Sequence, residues 1–436
     1  MINLKFIELA KVFSEIENTS SRNIITQKLA EIFSLSTPLE AQIITYLSLG
    51  TLRPPYIKMQ FNLAEKTVKK VIARILNKPI EFVESQIKET GDLGVLLKSH
   101  EHHVAHDLQI NEIYKKLEEL ETVSGEGSVE VRSDKLYDLL KSVDSLSAVY
   151  IVKVVLAKLR LGFSDMTIID ALSWTVSGSK KFSDKIEDAY NVCADLGLIA
   201  YTIKSGGIEA VELIKPKLGI PIRPAAAERL PTPSAIVEKL GDCIAQPKLD
   251  GFRLQVHIQK LKHPNLQEIK HGSQAIWFFS RNLIDMSNMF PDLVDSLKDL
   301  DVDNVIFEGE AIGYDEQTGS FAPFQETVKR KRKHDIEEFA TSLPLKLLVF
   351  DILYLNGKPL LDLPHTQRRE IVLNLFKNYA DSKVSVIEEV KITTAQQLEK
   401  YFLENISAGL EGLVVKKPNS IYQPGKRNFN WIKLKR

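Results

Sequence analysis

Five prolines between residues 216 and 233 constrain the fold of this chain most, because they separate two halves of different character. They are Pro216, Pro221, Pro224, Pro231 and Pro233. Each proline fixes its own φ and removes a backbone donor, which excludes a continuous helix and suits an extended linker. We therefore expect the 436 residues to form two domains, residues 1–212 and residues 213–436, the second opening with this linker.

The first half has helical periodicity. Phe6, Leu9, Phe13 and Ile16 lie three or four positions apart, on one stripe of an amphipathic helix. NLAEKTVKKVIARIL, DKLYDLLKSVDSL, SAVYIVKVVLAKLRLG and DMTIIDALSW are similar. Strict two-residue alternation is nearly absent before the prolines, so we expect an all-α domain.

The second half is rich in strand-forming runs. They are FRLQVHI, AIWFFSR, NVIFEGEAIGY, LKLLVFDILYL, EGLVVKK and WIKLK, bounded by Gly, Asn, Asp and Pro. Amphipathic helices are predicted around HTQRREIVLNLFKNY and TAQQLEKYFLENI. This half is therefore expected to be one α+β domain.

Composition excludes several classes of protein. Lys+Arg and Asp+Glu both number 57, so the zero net charge offers no global attraction for nucleic acid, although a local basic surface remains open. Two cysteines exclude a disulfide scaffold and a cysteine-rich zinc site. We find no signal peptide or membrane-spanning run, and we expect a cytoplasmic protein.

The chemistry-bearing residues begin with KLDGFR, which we place at the start of a strand-like run. Lys248 could act as a nucleophile if burial or cationic neighbours lowered its pKa. Gly251 would let the backbone approach a ligand, and Arg253 could bind a phosphate or ribose oxygen. Taken alone, this short motif fits a surface loop better than a site.

More motifs follow in order. Their residues are Arg281, Glu310, Phe350, Glu411, Lys416, Lys433 and Lys435. In WIKLK, strand alternation places Trp431, Lys433 and Lys435 on one face. Two lysines on one face are costly in a core and suitable opposite a polyphosphate.

In this order the motifs resemble the covalent nucleotidyltransferases, specifically ATP-dependent DNA ligases of the archaeal/eukaryotic replicative type. The entry sequence GIPIRPAAAERL and the helical segment YIVKVVLAKLRLGFSDMTIIDALSW are also similar to that family, so the resemblance covers nearly the whole chain. It implies an all-α DNA-binding domain followed by an α+β adenylation domain with ATP-grasp-like antiparallel sheets.

The resemblance implies that Lys248 attacks the α-phosphorus of ATP and carries AMP. The AMP then passes to the 5′-phosphate of nicked double-stranded DNA, and the adjacent 3′-hydroxyl displaces it. Glu310 and Glu411 would hold Mg²⁺, with Mn²⁺ as an alternative, and Asp250 would support the nucleophile. Phe350 would stack on adenine.

The resemblance also implies a set of nucleotide contacts. They are Gln246, Lys248, Arg253, Arg281, Glu310, Phe350, Lys416, Arg427, Lys433 and Lys435. Gln246 stands where many relatives carry a glutamate that reads adenine. Because an amide donates as well as accepts, strictness for ATP stays open.

DNA contacts are expected at Arg281, at Lys158, Arg160 and Gly162 before a helix capped by Ser164, and at Lys329 and Arg330 in a basic run. Solvated surface is the alternative for both basic segments. The histidines between His100 and His106 are assigned no role.

The family continues into an OB-fold domain, which we expect to be absent because the chain stops at Arg436. We expect a monomer associated with the nucleoid, and the sequence does not identify a sliding-clamp partner. Two alternatives stay open: another lysyl-nucleotidyltransferase of the RNA ligase or capping type, or a DNA-binding module with reduced catalysis.

Overall fold

The computed structural model describes residues 3–91, 93–98, 107–261, 274–315, 320–328, 343–379 and 381–436. It divides into two compact units. The first comprises Met1–Tyr190 and Asp195–Ile214, and the second comprises Asn191–Ala194 and Lys215–Arg436. Within the described ranges, none of the helices combines the length and apolar character needed to cross a membrane.

The first unit is built from helices, as predicted. They are α1 (Phe6–Glu17), α2 (Arg22–Leu35), α3 (Pro38–Ser48), α4 (Glu65–Leu76), α5 (Ile80–Thr90), α6 (Leu93–Lys98), α7 (Ile110–Thr122), α8 (Ser128–Lys141), α9 (Ser145–Val155), α10 (Asp165–Ser177), α11 (Ser183–Val192, whose end enters the second unit) and α12 (Leu196–Glu212). The predicted stripe of α1 is buried, so the helical periodicity marks the core.

Two of the predicted helical runs end earlier than their sequence pattern suggests. DKLYDLLKSVDSL is divided because α8 ends at Lys141 and the Asp144 side chain caps α9 by accepting from the Ser147 amide at 2.9 Å. Helix α9 ends at Val155, so Lys158 and Arg160 lie in the following non-helical segment.

The second unit contains two sheets. Its strands are β1 (Ala226–Arg229), β2 (Cys243–Lys248), β3 (Phe252–Lys260), β4 (Gln274–Ser280), β5 (Asn304–Asp315), β6 (Ser320–Phe321), β7 (Leu345–Leu355), β8 (Lys358–Pro359), β9 (Val384–Val386), β10 (Val390–Ile392), β11 (Gly412–Lys416) and β12 (Arg427–Lys435). The first sheet has the order β1-β12-β11-β2-β10, and the second β4-β3-β5-β7-β8, with β6 on β5 and β9 on β7. Pairing is antiparallel except for β1–β12 and β7–β9.

Helices cover one face of each sheet. They are α13 (Pro233–Leu240), α14 (Pro291–Leu297), α15 (Phe324–Val328), α16 (His365–Phe376) and α17 (Ala395–Ser407), with a short 3₁₀ turn at Ser287–Met289. Ile432 and Leu434 of the first sheet pack with Ile236 of α13 and Leu398 of α17. The second sheet packs on α14 and α16. The opposite faces are mixed: polar residues such as Lys248 and Arg253 lie there beside smaller apolar clusters that include Ile306 and Trp431.

The proline-rich segment is extended, but it is not the free linker that its composition suggests. Ile222 and Ala225 are buried in a cluster with Tyr422 and Trp431. Gln255 Oε1 accepts a hydrogen bond from the Ile222 amide at 2.7 Å, and Gln255 Nε2 donates one to the Ile222 carbonyl at 3.0 Å. Side-chain amides thus supply partners that the prolines cannot, and the segment docks onto β3.

His257 extends this attachment. Its Nδ1 accepts from the Gly219 amide at 3.2 Å, and its Nε2 lies 3.0 Å from Gln255 Oε1. Because Gln255 Oε1 can only accept, Nε2 carries the proton. Burial of the ring lowers the pKa of His257 to about 3, so the imidazole is neutral near pH 7.

We expect the second unit to lose stability as the pH falls from about 6.5 towards 3, because the unfolded chain protonates His257 while the folded chain does not. Each pH unit in this window corresponds to up to about 1.4 kcal/mol. Denaturant unfolding followed by Trp277 and Trp431 fluorescence in a Trp174→Phe background would measure it. His257→Gln should show a smaller decline, and equal declines would contradict the assignment.

Candidate active site

The candidate site lies where the polar faces of the two sheets meet. On β2, Gln246 and Lys248 alternate with Cys243 and Ala245, which pack in the core beneath α13 and α17. From the other sheet, Arg253 approaches that same polar face. Its Cζ lies 5.4 Å from the centroid of the Phe350 ring, on its own sheet, and 5.8 Å from the centroid of the Trp431 ring on β12.

The sequence had suggested that Lys248 opens a strand. In the structure it is instead the last residue of β2, and β3 starts at Phe252 after a short turn. Its Nζ forms an ion pair with Glu411, and Lys435 Nζ lies 2.9 Å from Glu411 Oε2. The register explains this arrangement, because Gly412 pairs with Lys248 on one side and with Lys435 on the other. Glu411 is therefore held between two ammonium groups.

Gly412 is required at this crossing. Its φ is +141°, and a Cβ there would lie 2.1 Å from the Leu434 carbonyl oxygen.

Burial alone would raise the pKa of the Glu411 carboxyl, but hydrogen bonds from Lys248 and Lys435 outweigh it and lower the pKa. The site therefore holds Glu411 as a carboxylate.

Gly251 has a different role from the expected close approach to a ligand. A Cβ there would lie 2.4 Å from the Ala311 carbonyl oxygen of β5, so the glycine permits contact between strands. Its amide donates to Glu310 Oε1 at 3.2 Å. The turn after Lys248 is thereby fixed to the strand that carries Glu310.

Three carboxyl groups surround this turn. Burial raises the pKa of Glu310 to about 7, and burial and the nearby Glu411 raise the pKa of Asp250. Raised carboxyl pKa values indicate a place where an added cation would be stabilised. Within the described ranges, however, no three histidine, cysteine or carboxylate side chains are placed so that they could hold one metal ion together. Two carboxylates fit a hard ion that takes its other ligands from water and substrate phosphates.

Cations converge beside these carboxylates. Burial lowers the pKa of Lys433, and Arg427, Lys435, Arg281 and Lys248 lower it further through repulsion. Like charges gathered in this way repel one another, and an anion placed among them would relieve that repulsion. The structure thus brings together five of the predicted nucleotide-binding residues.

Arg253 is held by a set of buried groups that sequence reasoning did not assign. Its guanidinium donates to the Ala225 carbonyl at 2.8 Å and to both carboxylate oxygens of Glu308, at 2.9 and 3.1 Å. Tyr422 donates to Glu308 at 2.9 Å and accepts from the Ala225 amide at 3.0 Å. Glu308 was visible in the EGE motif, whereas no local pattern marks Tyr422.

Arg281 is exposed just after β4, beside an open cleft with about 200 Å³ of empty space. Arg253, Glu308, Pro221 and Pro224 also line this cleft. The docked proline-rich segment therefore forms one wall of a cleft that two arginines also line.

Lys416, one of the predicted nucleotide contacts, is buried behind the aromatic residues of the site. Its side chain is 1% exposed, and its Nζ lies 3.3 Å from the Phe350 carbonyl and 4.2 Å from the centroid of the Trp431 ring. Burial lowers the pKa of Lys416 to about 8. The position of this side chain fits support of the aromatic pair better than contact with a ligand.

A buried ion pair lies behind Phe350. Arg368 donates to the two carboxylate oxygens of Asp351 at 2.7 and 3.1 Å. Burial alone would raise the pKa of Asp351, but Arg368, with His365 and Lys416, holds it well below its usual range. The aromatic residue is thus backed by fixed charges.

Gln246 bonds to a residue that the sequence did not connect with it. Its Nε2 donates to Glu389 Oε1 at 2.6 Å, and His365 Nε2 lies 2.8 Å from the same oxygen. Residues 246 and 389 are far apart in the chain and become neighbours because β2 pairs with β10.

The predicted DNA contacts of the first unit lie in the segment between α9 and α10. Lys158 pairs with Glu65 at 2.5 Å, and Arg160 is exposed. Gly162 has φ +75° with open space around it, and Ser164 precedes α10 without a side-chain cap bond. Lys329, Arg330 and the histidines of residues 100–106 lie outside the described residues.

Comparison with known proteins identifies the family of the chain. Residues 224–435 match a family model described as ATP dependent DNA ligase domain, and residues 5–173 match one described as DNA ligase N terminus. A "Probable DNA ligase" of Dictyoglomus turgidum is 42% identical over 432 residues, covering 99% of this chain and 72% of the relative. "DNA ligase 2" of Thermofilum pendens is 36% identical over 450 residues, covering 100% and 72%.

The solved structure "Pmar-Lig_PreS3" matches with a TM-score of 0.54 and 16% identity, over 98% of this chain and 78% of that one, which shows the fold. In chain order, a helical unit followed by a unit of two sheets fits a nucleotidyltransferase of the DNA ligase class. The chain belongs to the ATP-dependent DNA ligase family. The expected fold class and enzyme class are confirmed.

We expect Asp351→Asn to destabilise the second unit by about 3–5 kcal/mol, because it leaves Arg368 and Lys416 buried without their carboxylate. Asp362→Asn, at an exposed position nearby, is the matched control and should change stability by less than about 0.5 kcal/mol. Denaturant unfolding followed by tryptophan fluorescence measures both. Equal effects of the two substitutions would show that the ion pair contributes nothing.

Proposed function

We propose that this chain seals 5′-phosphate/3′-hydroxyl nicks in duplex DNA, with Lys248 as the AMP-accepting nucleophile. The observation that carries the proposal is the position of Lys248 at the edge of the cation cluster, within ion-pair distance of Glu411. A triphosphate bound among these cations would bring its α-phosphorus to the lysine.

Three displacements at phosphorus make up the reaction. The Lys248 nitrogen forms a bond to the α-phosphorus as the bond to pyrophosphate breaks. A 5′-phosphate oxygen of the nick then takes the AMP and releases the lysine. The 3′-hydroxyl finally attacks the 5′-phosphorus, expels AMP and loses its proton. Positioning and neutralisation of charge are the means by which a protein accelerates such steps.

The cations would act through charge. Lys433, Lys435 and Arg427 would hold the nucleotide phosphates, since the charges of Lys435 and Arg427 act on Lys433 and the three together make a positive site. Arg281 would bind the nick phosphate, and Arg253, anchored by Glu308, would reach the ribose at the shared cleft. Lys416 would act indirectly by supporting Phe350.

Carboxylates would serve the divalent ion and the nucleophile. Glu310 and Glu411 would hold Mg²⁺ or Mn²⁺, which would neutralise charge developing on the phosphates. Glu411 also orients the Lys248 ammonium through their ion pair. Asp250, whose pKa is raised by burial and Glu411, lies two residues beyond Lys248 and would support the site of the nucleophile.

Phe350 would stack on adenine. Its ring is half-buried and is fixed edge-on against Trp431, with ring centroids 6.4 Å apart. A ring with its orientation set in advance binds a base at a lower entropic cost.

The first unit would bind the DNA backbone through Lys158, Arg160 and Gly162, and Lys329 and Arg330 would add contacts. The monomeric state and nucleoid location stay predictions.

We expect Lys248→Ala to abolish the covalent AMP adduct, because no other nitrogen would take its place at the α-phosphorus. The measurement is labelling of the denatured protein by ATP radiolabelled at the α-phosphate. Lys260→Ala, at the exposed end of β3, is the matched control and should label normally. An adduct on the Lys248→Ala variant would overturn the assignment, and labelling of the wild type by GTP alone would favour a capping-type enzyme.

We expect affinity for nicked duplex to fall steeply with salt, because bound lysines and arginines release counterions from the phosphates. Arg160→Ala should reduce the slope of log affinity against log salt by about one. Lys11→Ala, an exposed charge on α1, should leave the slope unchanged. Fluorescence anisotropy with labelled DNA measures it, and a slope that Arg160→Ala does not alter would remove this residue from the interface.

A further inference from the structure

The bond between Gln246 and Glu389 determines more than the position of two side chains. Gln246 is 2% exposed, and its Nε2 donates to Glu389 Oε1 at 2.6 Å. A glutamine amide has a donating and an accepting end, and in isolation either end could face a ligand. Its partner decides which end does.

Glu389 leaves no choice of orientation. An ionised carboxylate only accepts hydrogen bonds, so the amide must turn its NH₂ group towards Glu389. Several neighbours keep Glu389 ionised. His365 Nε2 lies 2.8 Å from Oε1, and Arg369 Nε lies 3.4 Å from Oε2.

The charge of Glu389 is itself stabilised. Burial alone would raise its pKa, but the His365 hydrogen bond, with the charges of Lys416 and Arg369, lowers it. Arg369 is fixed in turn, since it donates to the Ile387 carbonyl at 2.5 Å. The orientation of the Gln246 amide therefore rests on groups far from the nucleophile in sequence.

Gln246 stands close to where a nucleotide base would lie. It shares a strand face with Lys248, two residues along β2, which corresponds to roughly 7 Å. With the lysine at the α-phosphorus, that separation matches the step from the phosphate towards the sugar and base. With its NH₂ group held by Glu389, Gln246 would offer its carbonyl oxygen to the base of a nucleotide bound at the lysine.

Adenine and guanine differ at the group such an oxygen would meet. Adenine carries an amino group on C6, which donates, whereas guanine carries a carbonyl, which accepts. An accepting oxygen would form a hydrogen bond with the amino group of adenine. Opposite guanine it would face another acceptor and form none. We propose that Glu389 is a positioning residue that fixes Gln246 as an acceptor and thereby makes the site select adenine over guanine nucleotides. The inference rests on the proposed lysyl-AMP chemistry.

The first test is Glu389→Gln. The introduced amide can donate as well as accept, so Gln246 becomes free to rotate and to present its NH₂ group to guanine. We expect the ratio of specificity constants for ATP over GTP in covalent labelling to fall by about tenfold or more. The change should appear mainly as a higher KM for ATP and a lower KM for GTP, with kcat for ATP little altered.

The second test exchanges the two side chains. Gln246→Glu alone places two carboxylates against each other and should weaken labelling by ATP. Gln246→Glu combined with Glu389→Gln restores one acceptor towards the base and one donor between the residues. The double variant should therefore recover ATP selectivity to within about threefold of wild type. A merely structural role of Glu389 would give no such recovery.

Glu388→Gln, the same change at the exposed neighbouring residue, is the matched control and should leave the ATP-to-GTP ratio unaltered. An unchanged ratio in Glu389→Gln, or a double variant that stays unselective, would overturn the inference while leaving the proposed function intact. Absence of any adduct on the wild type with either nucleotide would instead contradict the proposed function itself.

Discussion

The placement of Glu411 between Lys248 and Lys435 is the interaction on which the candidate site depends. It arises from strand register, because Gly412 lies opposite both lysine positions in adjacent pairings. A shift of one residue in either pairing would turn one of the lysines to the other face of its strand, into the core beneath α13 and α17. The same register that buries Ile432 and Leu434 therefore delivers the charged groups.

A second layer of charged and polar groups supports those that would touch a ligand. Arg253 is held by Glu308 and Tyr422, and the Phe350 carbonyl receives Lys416. Buried charges of this kind contribute little net stability, since desolvation offsets much of their attraction. Their effect is to fix directions. Each of these buried groups makes its hydrogen bonds in one arrangement, and that arrangement fixes the orientation of the residue that would contact the ligand.

The sequence predicted the strands and the order of the motifs because these are local properties. Alternation in WIKLK places Lys433 and Lys435 on one face whatever the rest of the chain does. It did not predict the partner of Gln246, because residue 389 becomes its neighbour only through the pairing of β2 with β10. The close approach of Gly251 to β5, a strand 60 residues away, was not predicted for a related reason. Proline content indicated an extended segment, but docking depended on two side chains of β3.

The docked segment also shapes the border of the first sheet. That sheet ends in β1, four residues long, and in β10, three residues long. Pro224 and Pro231 stand on either side of β1, and neither has an amide hydrogen to offer an incoming strand. Short, proline-flanked borders are poor templates for pairing with another chain. The segment that completes the cleft beside Arg281 thus also makes the β1 edge of this sheet a poor site for intermolecular strand addition.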